Sequence, residues 1–328
     1  MTQILTIAGQ NLLTPMILCF CLGLIAALAR SELTIPEAMA KAMSIYLLFA
    51  IGFKGGVSVA EHGFDAQLIA ALLAGVALSF LLPFAAFAML RILTGMSALD
   101  AAAVAAHYGS ISIVTFVTAT SVLSGQGIES EGYMVAVAAA MEAPAIVSAL
   151  WLVARAGTGG AKEIRMDARL WHEILLNGSI VLLIGAFVIG AVTGAPGMAR
   201  IESFIISPFQ GVLCLFLLDM GLVAGRGLRG ARGILGPGAL AFGILMPIVG
   251  AAAGAAAGLA LGLSPGGLAL MMTLAASASY IAVPAAMRVA LPEANPAIYL
   301  TLSLGVTFPF NLAIGIPSYV AIAQIIGG

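Results

Sequence analysis

Ten long apolar runs follow one another along this chain, at about 12–29, 36–57, 67–90, 98–124, 133–154, 174–193, 205–225, 237–262, 267–290 and 296–325. A helix needs about 20 such residues to cross the hydrocarbon of a bilayer. No water reaches the peptide groups there, so only helices or closed barrels can span it, and a barrel would show alternating segments of about ten residues instead. Charged residues make up 8% of the 328, against about a quarter in a soluble domain. The expected fold class is an all-α polytopic membrane protein. The first run has no basic stretch before it and no small-residue cleavage site after it, so we read it as a span and not as a removable signal.

The cationic residues are sided. Loops one, three, five, seven and nine, with their helix ends, carry Arg30, Lys41, Arg91, Arg155, Lys162, Arg165, Arg169, Arg226, Arg229, Arg232 and Arg288, whereas the other face has Lys54 and Arg200. Basic loops stay in the cytoplasm, so both termini are expected outside and the polar stretch 155–173 inside. A net charge of −1 with dispersed acidic residues leaves no surface for nucleic acid. Cys19, Cys21 and Cys214 lie within apolar runs at no metal or redox spacing and read as small packing residues.

That polar stretch divides the runs five and five. At an offset of 169 residues, Gly52 and Gly56 align with Gly221 and Gly225, "YGSISIV" (108–114) with "SASYIAV" (277–283), Ser110 with Ser279, and Glu142 with Asn311. Because five is odd, the second half must enter the membrane in the opposite sense. The expected architecture is a 5+5 inverted repeat with halves 1–156 and 173–328 and a cytoplasmic linker at 157–172. Such repeats are typical of secondary transporters, whose sites lie where interrupted helices from the two halves meet.

Two runs carry the marks of interruption. In the fourth, "HYGSIS" places Gly109 and two serines mid-span; in the ninth, "AASASYIAVPAA" (275–286) places small residues, serines and Pro284 there. A broken helix offers a fresh N-terminus carrying about half a positive charge, so two of them could hold an anion without any arginine. Freed carbonyls with Ser, Thr or Asn oxygens suit a small hard cation such as sodium. The bland alternative is that small residues merely let helices pack closely; recurrence at the repeat-related position favours a site. Of the polar residues within spans, His107 reads as a hydrogen-bonded interior residue and a candidate for pH sensitivity. Asp219 reads as structural or gating, and Glu142 as a brace of the crossover or a helper in sodium coordination. Lys54 is close enough to the outer surface to snorkel.

The stretches "HYGSISIVTF" (107–116), "EGYMVAVAAAMEAPAI" (131–146) and "ASASYIAVPAAMRVALPEANPAIYLTLSLGVTFPFNLAIGIPSYV" (276–320) resemble the sodium-dependent bicarbonate transporter family, the SbtA type, over nearly the whole chain. The resemblance implies sodium-coupled bicarbonate import by a homotrimer in a bacterial inner membrane, with a core domain moving against a gate domain. It further implies a cytoplasmic regulator resembling a PII signalling protein. It places the anion at Gly109, Ser110, Ile111 and Ser112 and at Ala278, Ser279 and Tyr280, and sodium at Ser110, Ser112, Thr115, Phe308 and Asn311.

A carrier for another small anion, or proton coupling through Glu142 and His107, is the alternative. A channel is a third reading, which the repeat and the broken helices disfavour. An enzyme is not expected: His107 and Ser110 share a helical face, yet no base-orienting partner or G-x-S-x-G turn accompanies them. Nor is there a phosphate-binding G-x-x-x-x-G-K-[ST] loop for a nucleotide-driven pump. No cofactor is expected beyond sodium as the coupling ion.

Overall fold

The computed structural model describes residues 14–63, 66–155, 176, 178–230 and 235–327; the expected linker at 157–172 lies outside them. Every regular element among the described residues is helical: α1 (Pro15–Leu28), α2 (Glu37–His62), α3 (Ala66–Leu93), α4 (Ala98–Gly109), α5 (Ile113–Gly125), α6 (Met134–Ala140), α7 (Pro144–Arg155), α8 (Gly178–Ile205), α9 (Phe209–Gly230), α10 (Pro237–Ala260), α11 (Pro265–Ala276), α12 (Ala282–Ala290) and α13 (Pro296–Ile326). Among the described residues, eight units are long and apolar enough to cross a membrane: α2, α3, α4 with α5, α6 with α7, α8, α9, α10 and α13. The shorter apolar helices α1 and α11 fall in the first and ninth expected spans.

The helix starts follow from the need to satisfy free amides. Proline opens α1, α10 and α11, where its missing N–H would be unpaired anyway. Serine hydroxyls cap α4 and α11, Ser97 Oγ accepting from the Asp100 amide at 3.0 Å and Ser264 Oγ from the Gly267 amide at 3.1 Å.

The pattern of interruption differs from expectation in three places. Two broken spans were expected, and a third occurs in the fifth, where Met141, Glu142 and Ala143 separate α6 from α7. Pro144 is the cause, since it lacks an amide hydrogen and disfavours helical geometry at the residue before it. The Ser79 hydroxyl donates to the freed Met141 carbonyl at 2.6 Å. The sixth span continues past residue 193 to Ile205 through a kink at Gly194 (φ 55°), two residues before Pro196. In the tenth, α13 widens into π-helical turns at Thr301–Thr307 and Asn311–Gly315, a distortion often found at functional sites.

The broken helices lie inside. All of α11 after Pro265 and most of α4 and α5 are buried, while α1, α3 and α8 turn large apolar residues such as Ile25, Leu73 and Val192 outward, as lipid contact demands. Lipid gives helices no hydrophobic reason to associate, so close packing must do it. Two crossings are made by glycines. A Cβ on Gly56 of α2 would fall 1.9 Å from the Phe187 carbonyl oxygen of α8, and one on Gly52 would fall 2.6 Å from that of Leu183. On α9, a Cβ on Gly221 would fall 2.1 Å from the Phe20 oxygen of α1, and one on Gly225 2.7 Å from Ala27 Cβ.

Loop residues group as passes of alternating direction require. Arg30, after α1, meets Arg226 and Arg229, near the end of α9, in one cavity. Gly63, Gln67, Gly127, Ser130 and Ser264, from the turns after α2, α5 and α10, line another.

Gly56→Ala is expected to destabilise the protein by about 1–3 kcal/mol, the cost of overpacking a tight contact. Gly185→Ala, on α8 with no neighbouring atom within 4 Å of the added Cβ, is expected to be neutral or stabilising because alanine is the better helix former. Thermal unfolding of the two variants in the same detergent checks this opposition of sign.

Candidate functional site

The first break exists because α4 ends hard against α3. A Cβ on Gly109 would lie 2.3 Å from Pro83 Cγ and 2.7 Å from the Ser79 oxygen, so a side chain there would push the helices apart. The chain then extends through Ser110 (φ −83°, ψ 163°) and Ser112 (φ −101°, ψ 108°) before α5 begins. The second break repeats this. Helix α11 has twelve residues, as α4 has, and ends on Ser277 with φ −82° and ψ 164°. The conformational counterpart of Ser110 is therefore Ser277, 167 residues on, while the starts of α5 and α12 stand 169 apart. The single offset of 169 expected from the sequence holds after the break but not for the half-helix before it, because the second break is two residues longer.

The breaks satisfy one another. The Ser279 amide donates to the His107 carbonyl at 2.7 Å, and the Ser112 amide donates to Ser277 Oγ at 2.9 Å. Ser277 Oγ passes its own proton to the Leu274 carbonyl at 2.9 Å. At the end of α11, Asn311 Nδ2 donates to the Ala276 carbonyl at 2.9 Å, and the Tyr319 hydroxyl donates to Asn311 Oδ1 at 3.0 Å. At the new N-termini, Ser112 Oγ accepts from the Thr115 amide at 3.2 Å and Ser279 Oγ from the Val283 amide at 3.4 Å. Buried amides and carbonyls that a break would orphan, at a cost of a few kcal/mol each in hydrocarbon, thus find partners.

Where the starts of α5 and α12 approach, Ile111, Ser112, Ile113, Glu142, Ser179, Ser279, Tyr280 and Ile281 line a cavity of about 10 Å³, roughly the minimum that holds one water-sized body. Glu142, in the third break, is 5% exposed, and its Oε2 has no hydrogen-bond partner among the described residues. A buried carboxylate oxygen in that condition calls for a cation or a proton. The positive ends of two helices face the same space. Hydroxyl, carboxylate and backbone oxygen are hard donors, suited to sodium and poorly suited to zinc or copper, and no cluster of three His, Cys, Asp or Glu side chains occurs among the described residues.

The cavity brings together Ile111, Ser112, Ser279, Tyr280 and Glu142 of the residues singled out from the sequence. Gly109, Ser110 and Ala278 lie in or beside the breaks without lining it, and buried Ser110 Oγ has no partner among the described residues. Thr115 sits in the first turn of α5. The Phe308 ring lies 5.4 Å from that of Tyr280, edge to face, and Asn311 is engaged at the end of α11. The His107 side chain points elsewhere: Nδ1 donates to the Ala103 carbonyl at 2.7 Å, leaving Nε2 as the bare nitrogen, and the ring stacks on Tyr299 at 4.4 Å. Its carbonyl, not its imidazole, belongs to the crossing. Asp219 is buried in α9 and does not line the cavity. Lys54 is partly exposed, and its ammonium lies 4.7 Å from the centre of the ring of Phe209, the first residue of α9.

Three contributors were missed. Ser277 stands within the serine-rich run but was passed over because the uniform offset paired Tyr108 with it. Tyr319 buttresses Asn311 from two turns further along α13, and Ser179 comes from a span that showed no sign of interruption in its first two turns.

None of the curated proteins compared with the chain matches it. The model of the Na+-dependent bicarbonate transporter superfamily matches residues 15–324, which takes in every break, the cavity and both glycine crossings. The chain therefore belongs to the Na+-dependent bicarbonate transporter superfamily, a multi-pass membrane family of transporters.

Proposed function

We propose that this protein is a sodium-coupled bicarbonate symporter that imports inorganic carbon by alternating access. The observation that carries the reading is the cavity where the N-termini of α5 and α12 face a carboxylate with a partnerless oxygen. The anion is held by the helix ends, with Gly109, Ser110, Ile111, Ser112, Ala278, Ser279 and Tyr280 forming the two strands of the crossing. Sodium sits beside it on oxygens of Glu142 and Ser112, with Ser110, Thr115, Asn311 and the Phe308 backbone as further donors when the crossing shifts. Glu142 alone would repel bicarbonate; with sodium bound it no longer does, so each ion raises the affinity for the other. The cavity as formed suits one small ion, and bicarbonate, with four heavy atoms, enters in a state where the breaks have separated.

The inverted 5+5 repeat, with halves 1–156 and 173–328, is supported by the twin serine-bounded half-helices and by the paired glycine crossings. In this reading α1, α2, α8 and α9 form the gate and the remaining helices the moving core. Both termini face outward, as the charge bias predicts. Assembly as a homotrimer in a bacterial inner membrane and control by a PII-like regulator belong to the same reading through the family. A second reading, proton coupling, is favoured by one observation, the buried Glu142 carboxyl itself.

Labelled inorganic-carbon uptake into proteoliposomes at fixed pH, with empty vesicles subtracted for carbon dioxide leakage, is expected to require an inward sodium gradient. Ser112→Ala and Ser279→Ala, each removing a hydroxyl from the cavity wall, are expected to lower that uptake about ten-fold, as loss of a hydrogen bond to a bound ion implies. Uptake indifferent to sodium in folded wild type would refute the symport. Glu142→Gln keeps the shape of the side chain and removes its charge. Its expected effect is a roughly ten-fold weaker apparent sodium affinity; uptake by wild type driven by a proton gradient without sodium, and abolished in this variant, would instead establish proton coupling.

A further inference from the structure

The geometry points to a binding site for the phosphate of an anionic phospholipid in the cavity formed by Arg30, Arg226 and Arg229 where α1 and α9 end. This cavity measures about 430 Å³, with Gly230 as its fourth lining residue. It stands apart from the ion cavity and plays no part in the transport reading.

The arginines are positioned rather than merely near. Arg226 donates to the Leu33 carbonyl at 2.9 Å and Arg229 to the Ala27 carbonyl at 2.7 Å. Each guanidinium carries five N–H groups, so most of their donors are left for a ligand. The helix ends carry about half a negative charge each, and the Asp219 carboxylate, within electrostatic reach of Arg226, adds a further unit, so three positive charges still outweigh about two negative ones. Among the described residues no carboxylate lines the cavity.

Arg30 sits where an arginine is costly. Its amide donates to the Ala27 carbonyl and the Ser31 amide to that of Ala26, a left-handed helix ending that normally takes glycine. With φ at 63°, Arg30 is the one residue other than glycine with positive φ among those described, at a strain of about 1–2 kcal/mol. The side chain earns that place by completing the triad, because planar guanidinium groups match phosphate oxygens in pairs.

Lipid is favoured over a soluble anion by what adjoins the cavity. On the last turns of α1 below it, Leu22, Ile25 and Leu28 are 58%, 63% and 44% exposed. A headgroup among the arginines would lay its acyl chains along that face, on the side of the membrane that the charge bias assigns to the cytoplasm.

The test uses the purified full chain in neutral detergent, followed by thermal unfolding. Short-chain phosphatidylglycerol is expected to raise the midpoint saturably, and phosphatidylcholine or inorganic phosphate at the same concentration is not. Arg30→Gly, which relaxes the backbone, should fold at least as stably as wild type without lipid yet bind phosphatidylglycerol roughly ten-fold more weakly. Arg226→Gln should weaken it similarly. An unchanged phosphatidylglycerol response in both variants would overturn the site. An equal response to phosphatidylcholine, which carries the same phosphodiester without net charge, would overturn the recognition of an anionic headgroup, and an equal response to inorganic phosphate would overturn the lipid assignment.

Discussion

A peptide group in hydrocarbon must find a partner inside the protein, and this constraint governs the centre of the molecule. Two helices stop halfway across, and each stop frees amides and carbonyls that no water can reach. The structure answers by crossing the stops: the Ser279 amide on the His107 carbonyl, the Ser112 amide on the Ser277 hydroxyl, the Asn311 amide group on the Ala276 carbonyl. Each break thus needs the other, and both need α13. Burial follows from the same cause, since a broken helix facing lipid would leave its ends bare.

The ion cavity is the residue of that solution. With the carbonyl ends engaged, the helix starts of α5 and α12 face the remaining space with their partial positive charge. Glu142 counters it. The third break, at Pro144, carries that carboxyl to the cavity wall. Around this centre, glycine contacts let α2 lie on α8 and α1 on α9 at backbone distance.

Much of this was legible beforehand. Run length located eight units long enough to span and two shorter apolar helices among the described residues, and Gly109 and the serines after it located the first break to within a residue. The third break was not read, although Pro144 was in view, because a proline in an apolar run is compatible with an unbroken helix when neighbours supply its lost bond. Ser277 was overlooked because a uniform offset assumed two breaks of equal length. The partner of Lys54 was not legible, since the ring that receives it comes from α9, more than 150 residues away in the chain.

The sequence by itself determined the membrane class, the number of apolar runs, the charge asymmetry and the places where helices would falter, because these depend on local composition and on the helix-breaking chemistry of glycine, serine and proline. Only the tertiary structure decided which freed amide meets which carbonyl, that Glu142 rather than His107 faces the cavity, and that three arginines from the ends of two helices far apart in the chain converge. Those outcomes depend on how helices far apart in the chain are juxtaposed, and on a side-chain direction that turns by 100° with each residue of helix.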